Sequence, residues 1–391
     1  MANRALERLR SKDKKGLFKQ SQVSITYPTG FIPFDYLNGY KVKVIDKHEN
    51  ILDSYAALGL TGGTFNTIIG KSGTAKSTFA VQVAANMVRH FDDNAFVIYY
   101  DLEQALNYTR IKNITQMTQQ ELEDKFILRQ EKNYIEDIFE SIMGIANDKD
   151  ANKDDWTYET GLLDEFGQPI KTYVPTVIII DSIPTLSSNS TDMEDEMKSD
   201  TDVTRMTKRI KQFYTKLMPI IKTYNITIFV INHINAKIEI NPFAKTQAQI
   251  MYLKQDESVP GGVAPIYYAN NLLKFVSSTK YKEEDDGFDG FMIRIEMLKS
   301  RSNKAGQFCN IIYNQETGFD PVLTLLQFAD DNGLLDGRNP YKYFKNNKDV
   351  KFDTRKFREA FRAKEEVRKA LTEVTQPFLE KLLYDVSEDN L

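Results

Sequence analysis

A loop of small residues with one lysine and one serine is the first stretch whose residue types could do chemistry. Residues 64–69 are a short apolar run that predicts a strand, and this loop follows it: Gly70, Lys71, Ser72, Gly73, Thr74, Ala75, Lys76, Ser77 and Thr78. The spacing matches the phosphate-binding P-loop, except that Ala75 stands where the second glycine is usual. Backbone N–H groups that converge at a helix N-terminus suit a triphosphate. We therefore predict that Lys76 reaches the β- and γ-phosphates and that the Ser77 hydroxyl ligates Mg²⁺.

Ala75 is a mild departure from this motif. It adds one methyl group, and we expect it to adopt the helical conformation of a first turn. A chance turn rich in glycine and serine is the alternative interpretation. The order of strand, loop and helix favours the P-loop, because the motif requires that order.

Polar side chains also follow three buried, strand-length apolar runs. They are Glu103 after residues 95–100, Asp181 after residues 174–180, and His233 after residues 226–231. Ligands bind at the carboxyl ends of parallel strands, so we expect these side chains to face the same crevice as the P-loop. Asp181 ends a β-branched run, which is the Walker B pattern, and is predicted to hold the hydration shell of Mg²⁺. His233 is predicted to contact the γ-phosphate, and a structural histidine is the alternative.

Composition narrows the class of protein. A chain of 391 residues suits one large domain with appendages, or two domains. The net charge is −4, so any nucleic-acid contact must come from local basic patches. The single Cys309 excludes an intrachain disulfide framework and fits a reducing compartment, and three histidines argue against a zinc site. The apolar runs are too short to span a membrane, and the N-terminal residues lead into charged residues rather than a secretory signal.

The elements that must position these residues begin with an arm and a core. Residues 1–24 are predicted to be a basic N-terminal arm, which either docks on a neighbouring subunit or is a solvated tail. Residues 25–336 are predicted to form the core. We expect a polar surface insertion at about 147–170 and long loops at about 187–200 and 236–262.

Sequence patterns also predict individual elements of an α/β core with a mostly parallel sheet. These are a hairpin or loop at 40–57, helices near 76–89, 135–145, 203–224 and 321–332, and strands at 267–279, 289–298 and 308–313. Residues 337–391 are predicted to form a small helical domain with a basic face and an acidic tail. The basic face is either a solvated helix surface or a nucleic-acid contact.

The chain resembles the RecA family of strand-exchange ATPases, most of all the UvsX-type phage recombinases, over most of residues 25–335. The motifs that carry the resemblance are the P-loop, Tyr100-Asp101-Leu102-Glu103, Ile180-Asp181-Ser182, Ile231-Asn232-His233, Gly261-Gly262 and Leu298-Lys299-Ser300-Arg301-Ser302. The relaxed second P-loop glycine and the Asn-His pair are also similar to the UvsX type. The resemblance implies a RecA-like P-loop ATPase core with a twisted, mostly parallel central sheet, an N-terminal arm and a small helical C-terminal domain.

The resemblance also implies roles at the nucleotide. Glu103 would orient and deprotonate the attacking water, and His233 would sense the γ-phosphate and signal to the loop beginning at Ala236. Lys299 and Arg301 would reach across a subunit interface to the neighbour's nucleotide. The residues implied in nucleotide binding are Gly70, Lys71, Ser72, Gly73, Thr74, Ala75, Lys76, Ser77 and Thr78, with Asn107 or Tyr108 at the adenine. Ser77 and Asp181 would hold Mg²⁺.

The two long loops fall where the family binds DNA. The first loop is acidic, so we expect DNA contacts from its borders and from the second loop. The implied DNA-binding residues are Arg205, Lys208, Arg209, Lys237, Lys245, Gly261 and Gly262.

The function implied by the resemblance is an ATP-dependent recombinase that forms a helical filament on single-stranded DNA and exchanges strands with duplex DNA. ATP and Mg²⁺ are the implied cofactors. A loading mediator and a single-strand-binding protein are further candidate partners, and the expected location is the cytoplasm, of a bacterial host cell if the protein is phage-encoded. A ring-forming helicase and a regulatory ATPase switch on the same core are the alternatives.

Overall fold

The structure is a computed structural model that describes residues 25–384, apart from 47, 49, 92–93, 132–133, 165–166, 189–199, 237–251, 255 and 284–287. The predicted N-terminal arm, the acidic tail and the central parts of both long loops lie outside these residues. Within the described part of the chain, no helix is long and apolar enough to cross a membrane.

The strands of the described residues are numbered in chain order. They are β1 (Thr26–Tyr27), β2 (Tyr40–Ile45), β3 (Ile51–Ala57), β4 (Leu60–Thr61), β5 (Phe65–Gly70), β6 (Phe96–Asp101), β7 (Phe126–Arg129), β8 (Thr157–Leu163), β9 (Pro169–Tyr173), β10 (Thr176–Asp181), β11 (Ile226–His233), β12 (Asn235–Ala236), β13 (Glu257–Ser258), β14 (Asn271–Glu283), β15 (Phe288–Ser300), β16 (Phe308–Asn314), β17 (Gly318–Asp320), β18 (Leu335–Arg338), β19 (Tyr341–Phe344) and β20 (Asn347–Asp353).

The helices of the same residues are numbered likewise. They are α1 (Ile32–Asn38), α2 (Lys76–Arg89), α3 (Tyr108–Thr115), α4 (Gln119–Lys125), α5 (Ile135–Ala151), α6 (Lys153–Trp156), α7 (Asp200–Thr223), α8 (Ala264–Tyr267), α9 (Pro321–Asp331), α10 (Phe357–Ala363) and α11 (Glu365–Glu380). Short 3-10 turns lie at Ile183–Thr185 and Thr354–Lys356.

The central sheet has nine strands among the described residues, in the order β17-β16-β15-β14-β5-β11-β10-β6-β7. The strands from β14 to β7 run parallel to one another, and β15, β16 and β17 extend the sheet antiparallel. Strands β5, β10 and β11 are buried along nearly their whole length, as expected when helices cover both faces. The predicted α/β fold with a mostly parallel sheet is confirmed.

An aromatic cluster around Phe79 fixes the P-loop helix α2 to one face of the sheet. The Phe79 side chain is fully buried, and its ring lies 5.1 Å from Phe275, 5.3 Å from Phe34, 5.7 Å from Phe319 and 5.9 Å from Phe31. Because a truncation here would leave a cavity, Phe79→Ala is expected to cost about 3–5 kcal/mol. The P-loop therefore leads into a helix whose position is set by core packing.

Helices α5 and α7 cover the other face. Tyr214 on α7 packs with its ring 4.4 Å from that of Phe65 on β5, and both side chains are buried. Ile138 and Ile142 on α5 and Leu217 on α7 join the same cluster. The apolar residues of both helices recur every three or four positions, which is the spacing of a single buried helix face.

Two predicted segments differ from the structure. Helix α5 runs to Ala151, so the predicted insertion at 147–170 is the end of α5, the short α6 and part of the hairpin β8-β9. The predicted strand at 267–279 begins only at Asn271, because Ala264–Tyr267 is a turn of helix with Pro265 in its first turn. The segment at 40–57 is the hairpin β2-β3.

The predicted small helical C-terminal domain contains its helices, α10 and α11, but also strands that the sequence analysis did not predict. Strands β18, β19 and β20 form an antiparallel sheet ahead of α10 and α11. Val350 and Phe352 are buried on either side of the exposed Lys351, which is the alternation of a half-buried strand. Phe344, Phe352 and Phe357 share a hydrophobic cluster with Leu323 and Leu326 of α9. The basic residues therefore project from a mixed sheet and helix unit that packs on the core.

Candidate active site

Four strands bring the predicted chemistry to one edge of the sheet. Gly70, which ends β5, is in register with His233 of β11, and Asp181 of β10 is in register with Asp101 of β6. Because β5, β11, β10 and β6 are consecutive neighbours, their carboxyl ends form a continuous row beside the P-loop. We call this row the P-loop edge. The sequence prediction of a shared crevice agrees with this placement.

Glycines shape the P-loop turn. A Cβ on Gly70 would lie only 2.8 Å from the carbonyl oxygen of Phe275, and Gly73 has φ +74°. The Thr74 hydroxyl donates to the Lys71 carbonyl at 2.8 Å, and Lys76 Nζ donates to the same oxygen at 2.8 Å. These bonds close the loop around its lysine.

The conformation of Ala75 corrects the sequence prediction. Ala75 has φ +59° and ψ +27°, which is left-handed rather than helical. A left-handed conformation costs a residue with a Cβ about 1–2 kcal/mol. The turn into α2 imposes this geometry, which explains why glycine is usual at the position.

Lys76 is 5% exposed although it carries a charge. Burial lowers the pKa of its ammonium group, and the nearby carboxylates of Asp181 and Glu103 oppose that shift. The lysine, the Walker B aspartate and Glu103 are therefore close enough to interact electrostatically.

Asp181 is 1% exposed and accepts a hydrogen bond from the Tyr99 hydroxyl at 2.9 Å. Burial raises its pKa to about 6, the hydrogen bonds from Ser77 and Tyr99 oppose the rise, and the charges of Glu103 and Asp101 add to it. Hydroxyl and carboxylate oxygens are the ligands that Mg²⁺ prefers. The hydrogen bond between Ser77 and Asp181 places both predicted ligands together, so this donor set fits the ion.

Asp101 was missed by sequence reasoning, and it shapes the turn that carries Glu103. Its buried carboxylate accepts from the backbone N–H groups of Ala105 at 3.1 Å and Leu106 at 3.0 Å, and from the Gln130 amide at 2.8 Å. The strand-end aspartate in the Tyr-Asp-Leu-Glu motif was the signal that could have identified it.

Two donors hold the Glu103 carboxylate on a single oxygen. The Ser182 hydroxyl lies 2.5 Å from Glu103 Oε1, and His233 Nε2 lies 2.9 Å from the same atom. Burial raises the pKa of Glu103, but the bonds from Ser182 and His233 and the charge of Lys76 outweigh it, so the net shift is downward. The structure thus brings Glu103 and His233 together directly. Ser182 was not among the predicted site residues.

Asn232 connects the P-loop edge to the end of the second loop. Its buried side chain accepts from the backbone N–H of His233 at 2.8 Å and donates to the Pro260 carbonyl at 2.9 Å. Gly261 and Gly262 follow with φ +82° and +73°. A Cβ on Gly261 would lie 2.7 Å from Ile183, and one on Gly262 would lie 2.8 Å from Thr207. Both glycines therefore have a packing role, whatever they contact outside the chain.

A second connection, also missed by sequence reasoning, joins the base of this loop to the sheet. Lys274 Nζ lies 2.6 and 2.8 Å from the two carboxylate oxygens of Glu257, and both side chains are largely buried. Glu257 is in β13, which pairs with β12 just after His233, and Lys274 is in register with Ile69 beside the P-loop.

Lys299 and Arg301 lie at the other end of the sheet, which we call the opposite edge. The Arg301 N–H bonds to Asn270, whose own N–H bonds to Phe65 at the start of β5. Phe65 is five residues before Gly70, so Arg301 is about 16 Å along the strand direction from the P-loop. Within one chain, the structure does not bring these cations to the phosphate site.

Among the described residues, the side chains of these two cations hydrogen-bond to backbone carbonyls. Lys299 Nζ donates to Tyr267 at 2.6 Å and to Ile266 at 3.1 Å, and Arg301 donates to Tyr267 at 3.2 Å. Burial, then the charge of Arg301, lowers the pKa of Lys299 to about 8. Arg301 also lines a cavity of about 480 Å³ together with Lys222.

The remaining predicted residues have mixed placements. Asn107 caps α3 by accepting from the Arg110 N–H, and the half-exposed Tyr108 bonds weakly to the Phe126 carbonyl, so their adenine contact stays a prediction. Arg205 and Lys208 are exposed on α7, whereas Arg209 pairs with Glu136 at 2.5 Å. Lys237 and Lys245 lie outside the described residues.

Comparison with known proteins finds a match to one family model. The family model described as ATPase: KaiC matches residues 49–198. The matched stretch contains the P-loop, Glu103 and Asp181. A search of curated proteins finds no match to the chain. Residues 49–198 are therefore a KaiC-like ATPase domain of the RecA fold, which confirms the sequence prediction at that level.

Proposed function

We propose that this chain, which carries a KaiC-like ATPase domain of the RecA fold, is an ATP-dependent DNA recombinase. It forms a filament on single-stranded DNA and catalyses homologous pairing and strand exchange. ATP and Mg²⁺ occupy the P-loop edge, and the loops that begin beside this edge contact DNA.

The position of Arg301 is the observation that carries the proposal. It lies at the edge opposite its own P-loop, and its partner among the described residues is a backbone carbonyl. A cation so placed neutralises phosphate charge only if a second copy presents its P-loop edge to it. Head-to-tail contacts of this kind build rings or helical filaments.

Hydrolysis follows from the residues at the P-loop edge. Lys76 would bind the phosphates, and Ser77 with Asp181 would hold Mg²⁺, which would neutralise the negative charge of the phosphates. The water oxygen attacks the γ-phosphorus as the bond to ADP breaks, and the proton of that water passes to Glu103. Arg301 of the neighbouring copy stabilises the charge that develops on the transferred group.

The connections from the P-loop edge supply a route to the DNA loops. Asn232 joins His233 to Pro260, and Gly261 packs on Ile183, two residues after Asp181. A γ-phosphate that moves His233 therefore biases the conformation of the second loop, which is a population shift driven by differential contacts.

A RecA-like regulatory ATPase is the second candidate. The match to the ATPase: KaiC family favours it as much as it favours a recombinase. A ring-forming helicase uses the same head-to-tail contact and remains the third.

Electron microscopy separates the three functions. Full-length protein is imaged with single-stranded DNA and a slowly hydrolysed ATP analogue, and hydrolysis is measured with and without that DNA. We expect helical filaments and DNA-stimulated hydrolysis, both lost in Lys76→Ala, which removes the phosphate ligand. Closed rings would establish the helicase. A hydrolysis rate that does not change with DNA, together with neither filaments nor rings, would establish the regulatory ATPase.

A further inference from the structure

Ser182 and His233 contact the same oxygen of Glu103 but differ in how they are held. The Ser182 backbone is fixed by Thr185, whose hydroxyl accepts from the Ser182 N–H at 3.3 Å and donates to its carbonyl at 2.9 Å. Ser182 is fully buried. His233 ends β11 with a side chain that is 25% exposed. One donor is therefore buried and bonded through its backbone, and the other is partly exposed.

We propose that Ser182 is a positioning residue that keeps Glu103 aligned for catalysis, while His233 is an exchangeable donor that leaves Glu103 when a γ-phosphate arrives. This inference deepens the proposed function and rests on its assignment of Glu103 as the base. The Ser182 hydroxyl has one proton to donate, and it is directed at Glu103 Oε1.

The arrangement of the two oxygens supports this division of work. Both described hydrogen bonds to the Glu103 side chain end on Oε1. Oε2 is therefore the oxygen left to accept the proton of the attacking water. A carboxylate held by one oxygen keeps the other in a defined direction, and small misplacements of a catalytic group are costly.

The exchange of His233 follows from charge and position. Gly70 and His233 are in register on adjacent strands, so the histidine lies beside the loop that binds the phosphates. A phosphate oxygen carries more negative charge than a shared carboxylate and competes for the N–H of His233. When that bond moves to the phosphate, Glu103 loses one donor and becomes a stronger base. Ser182 then remains to hold it in place.

Steady-state hydrolysis by Ser182→Ala tests the proposal. We expect kcat to fall about 10- to 100-fold with KM for ATP within about twofold of the native value, because alignment and not substrate binding is lost. Ser182→Thr restores a hydroxyl and should recover most of the activity. Ser188→Ala is the matched control, because Ser188 also donates to a glutamate, Glu136, at 2.8 Å but lies outside the P-loop edge.

A double variant distinguishes positioning from a general structural role. If Ser182 acts through Glu103, then Glu103→Gln combined with Ser182→Ala hydrolyses ATP no more slowly than Glu103→Gln alone. Further slowing of the double variant, or native kcat in Ser182→Ala, overturns the proposal. Full activity in Glu103→Gln overturns instead the role of Glu103 as base, so the two failures are distinguishable.

Nucleotide affinity tests the exchange of His233 separately. A fluorescent ATP analogue and its ADP counterpart are titrated into each variant. His233→Ala should reduce the preference for the triphosphate about 10-fold, whereas Ser182→Ala should leave it unchanged. An unchanged preference in His233→Ala contradicts the exchange.

Discussion

The P-loop edge and the opposite edge of the same sheet differ in the hydrogen-bond partners of their charged side chains. At the P-loop edge, the Glu103 carboxylate accepts hydrogen bonds from the side chains of Ser182 and His233, and the charges of Asp181 and Glu103 act on Lys76. At the opposite edge, the described hydrogen bonds of the Lys299, Arg301 and Lys149 side chains go to backbone carbonyls. Lys299 and Arg301 bond to Tyr267, and the buried Lys149 bonds to Val174 at 2.7 Å and Tyr224 at 2.9 Å.

One chain supplies side-chain partners for Glu103 at the P-loop edge, but it supplies no described anionic partner for Arg301 at the opposite edge. Bonds to neutral carbonyls leave the positive charge of Arg301 uncompensated, and it remains exposed to an anion from outside. Lys149 has the same kind of partners but is fully buried, so burial acts on its charge instead. We therefore expect Arg301 to bind an anion and Lys149 to have a lowered pKa, although both side chains bond to backbone carbonyls.

The largest expected effect tests the exposed cation. Arg301→Ala should lower DNA-stimulated hydrolysis about 10³-fold, because an arginine supplied in trans stabilises transition-state charge. Binding of nucleotide to isolated protomers should be unchanged. Arg294→Ala is the matched control, since Arg294 lies on β15, which ends just before Arg301, but pairs with Glu296 and stacks on Phe308.

Mixing variants tests whether Arg301 acts between copies. Arg301→Ala and Glu103→Gln are each inactive alone, but a mixed assembly contains intact P-loops completed by intact arginines. An equal mixture should regain about a quarter of native activity, because half the sites have the base and half of those have the arginine. A mixture as inactive as its components would place both residues in one chain's site and remove the contrast between the edges.

A pH experiment tests the buried cation. Burial lowers the pKa of Lys149 to about 7, well below its value in an unfolded chain. Between these values the unfolded state binds the additional proton, so the free energy of unfolding rises with pH above 7. We expect the native protein to gain about 2 kcal/mol between pH 7 and pH 9 relative to Lys149→Met, measured by urea unfolding. An equal response in both proteins would show that Lys149 stays charged in the fold.

The smallest expected effect comes from substituting one residue with a left-handed backbone conformation at each edge. Ala75 at the P-loop edge has φ +59°, and Asn225 at the opposite edge has φ +52°. Asn225 Nδ2 donates at 2.6 Å to both the Tyr27 hydroxyl and the Tyr173 carbonyl. Ala75→Gly should stabilise the fold by about 0.5–1 kcal/mol, since relieved strain exceeds the added chain entropy.

The matched change at Asn225 should have the opposite sign. Asn225→Gly removes two buried hydrogen bonds and should destabilise the protein by about 1–3 kcal/mol in the same urea measurement. Stabilisation by both substitutions would mean that relief of backbone strain, and not loss of side-chain hydrogen bonds, sets the change in the free energy of unfolding at both positions.

Local patterns were sufficient to predict much of the core. The P-loop helix, the buried strands and their polar ends were predictable because a β-branched run buried on both faces leaves few alternatives. The C-terminal strands were missed because the many basic residues of this segment were interpreted as one face of a helix, although the exposed Lys351 lies between the buried Val350 and Phe352 as in a strand. The left-handed Ala75 was missed because its conformation depends on how the whole turn enters α2.

Residue types and their spacing were enough to predict a P-loop and to predict that four strand ends would lie side by side next to it. The pairing of side chains became visible in the fold alone: Ser182 and His233 contact one oxygen of Glu103, Asp101 shapes the turn, and Arg209 is bound to Glu136. The physical reason is that strand order sets which edge a residue occupies, whereas hydrogen bonds between side chains depend on distances between segments far apart in the chain.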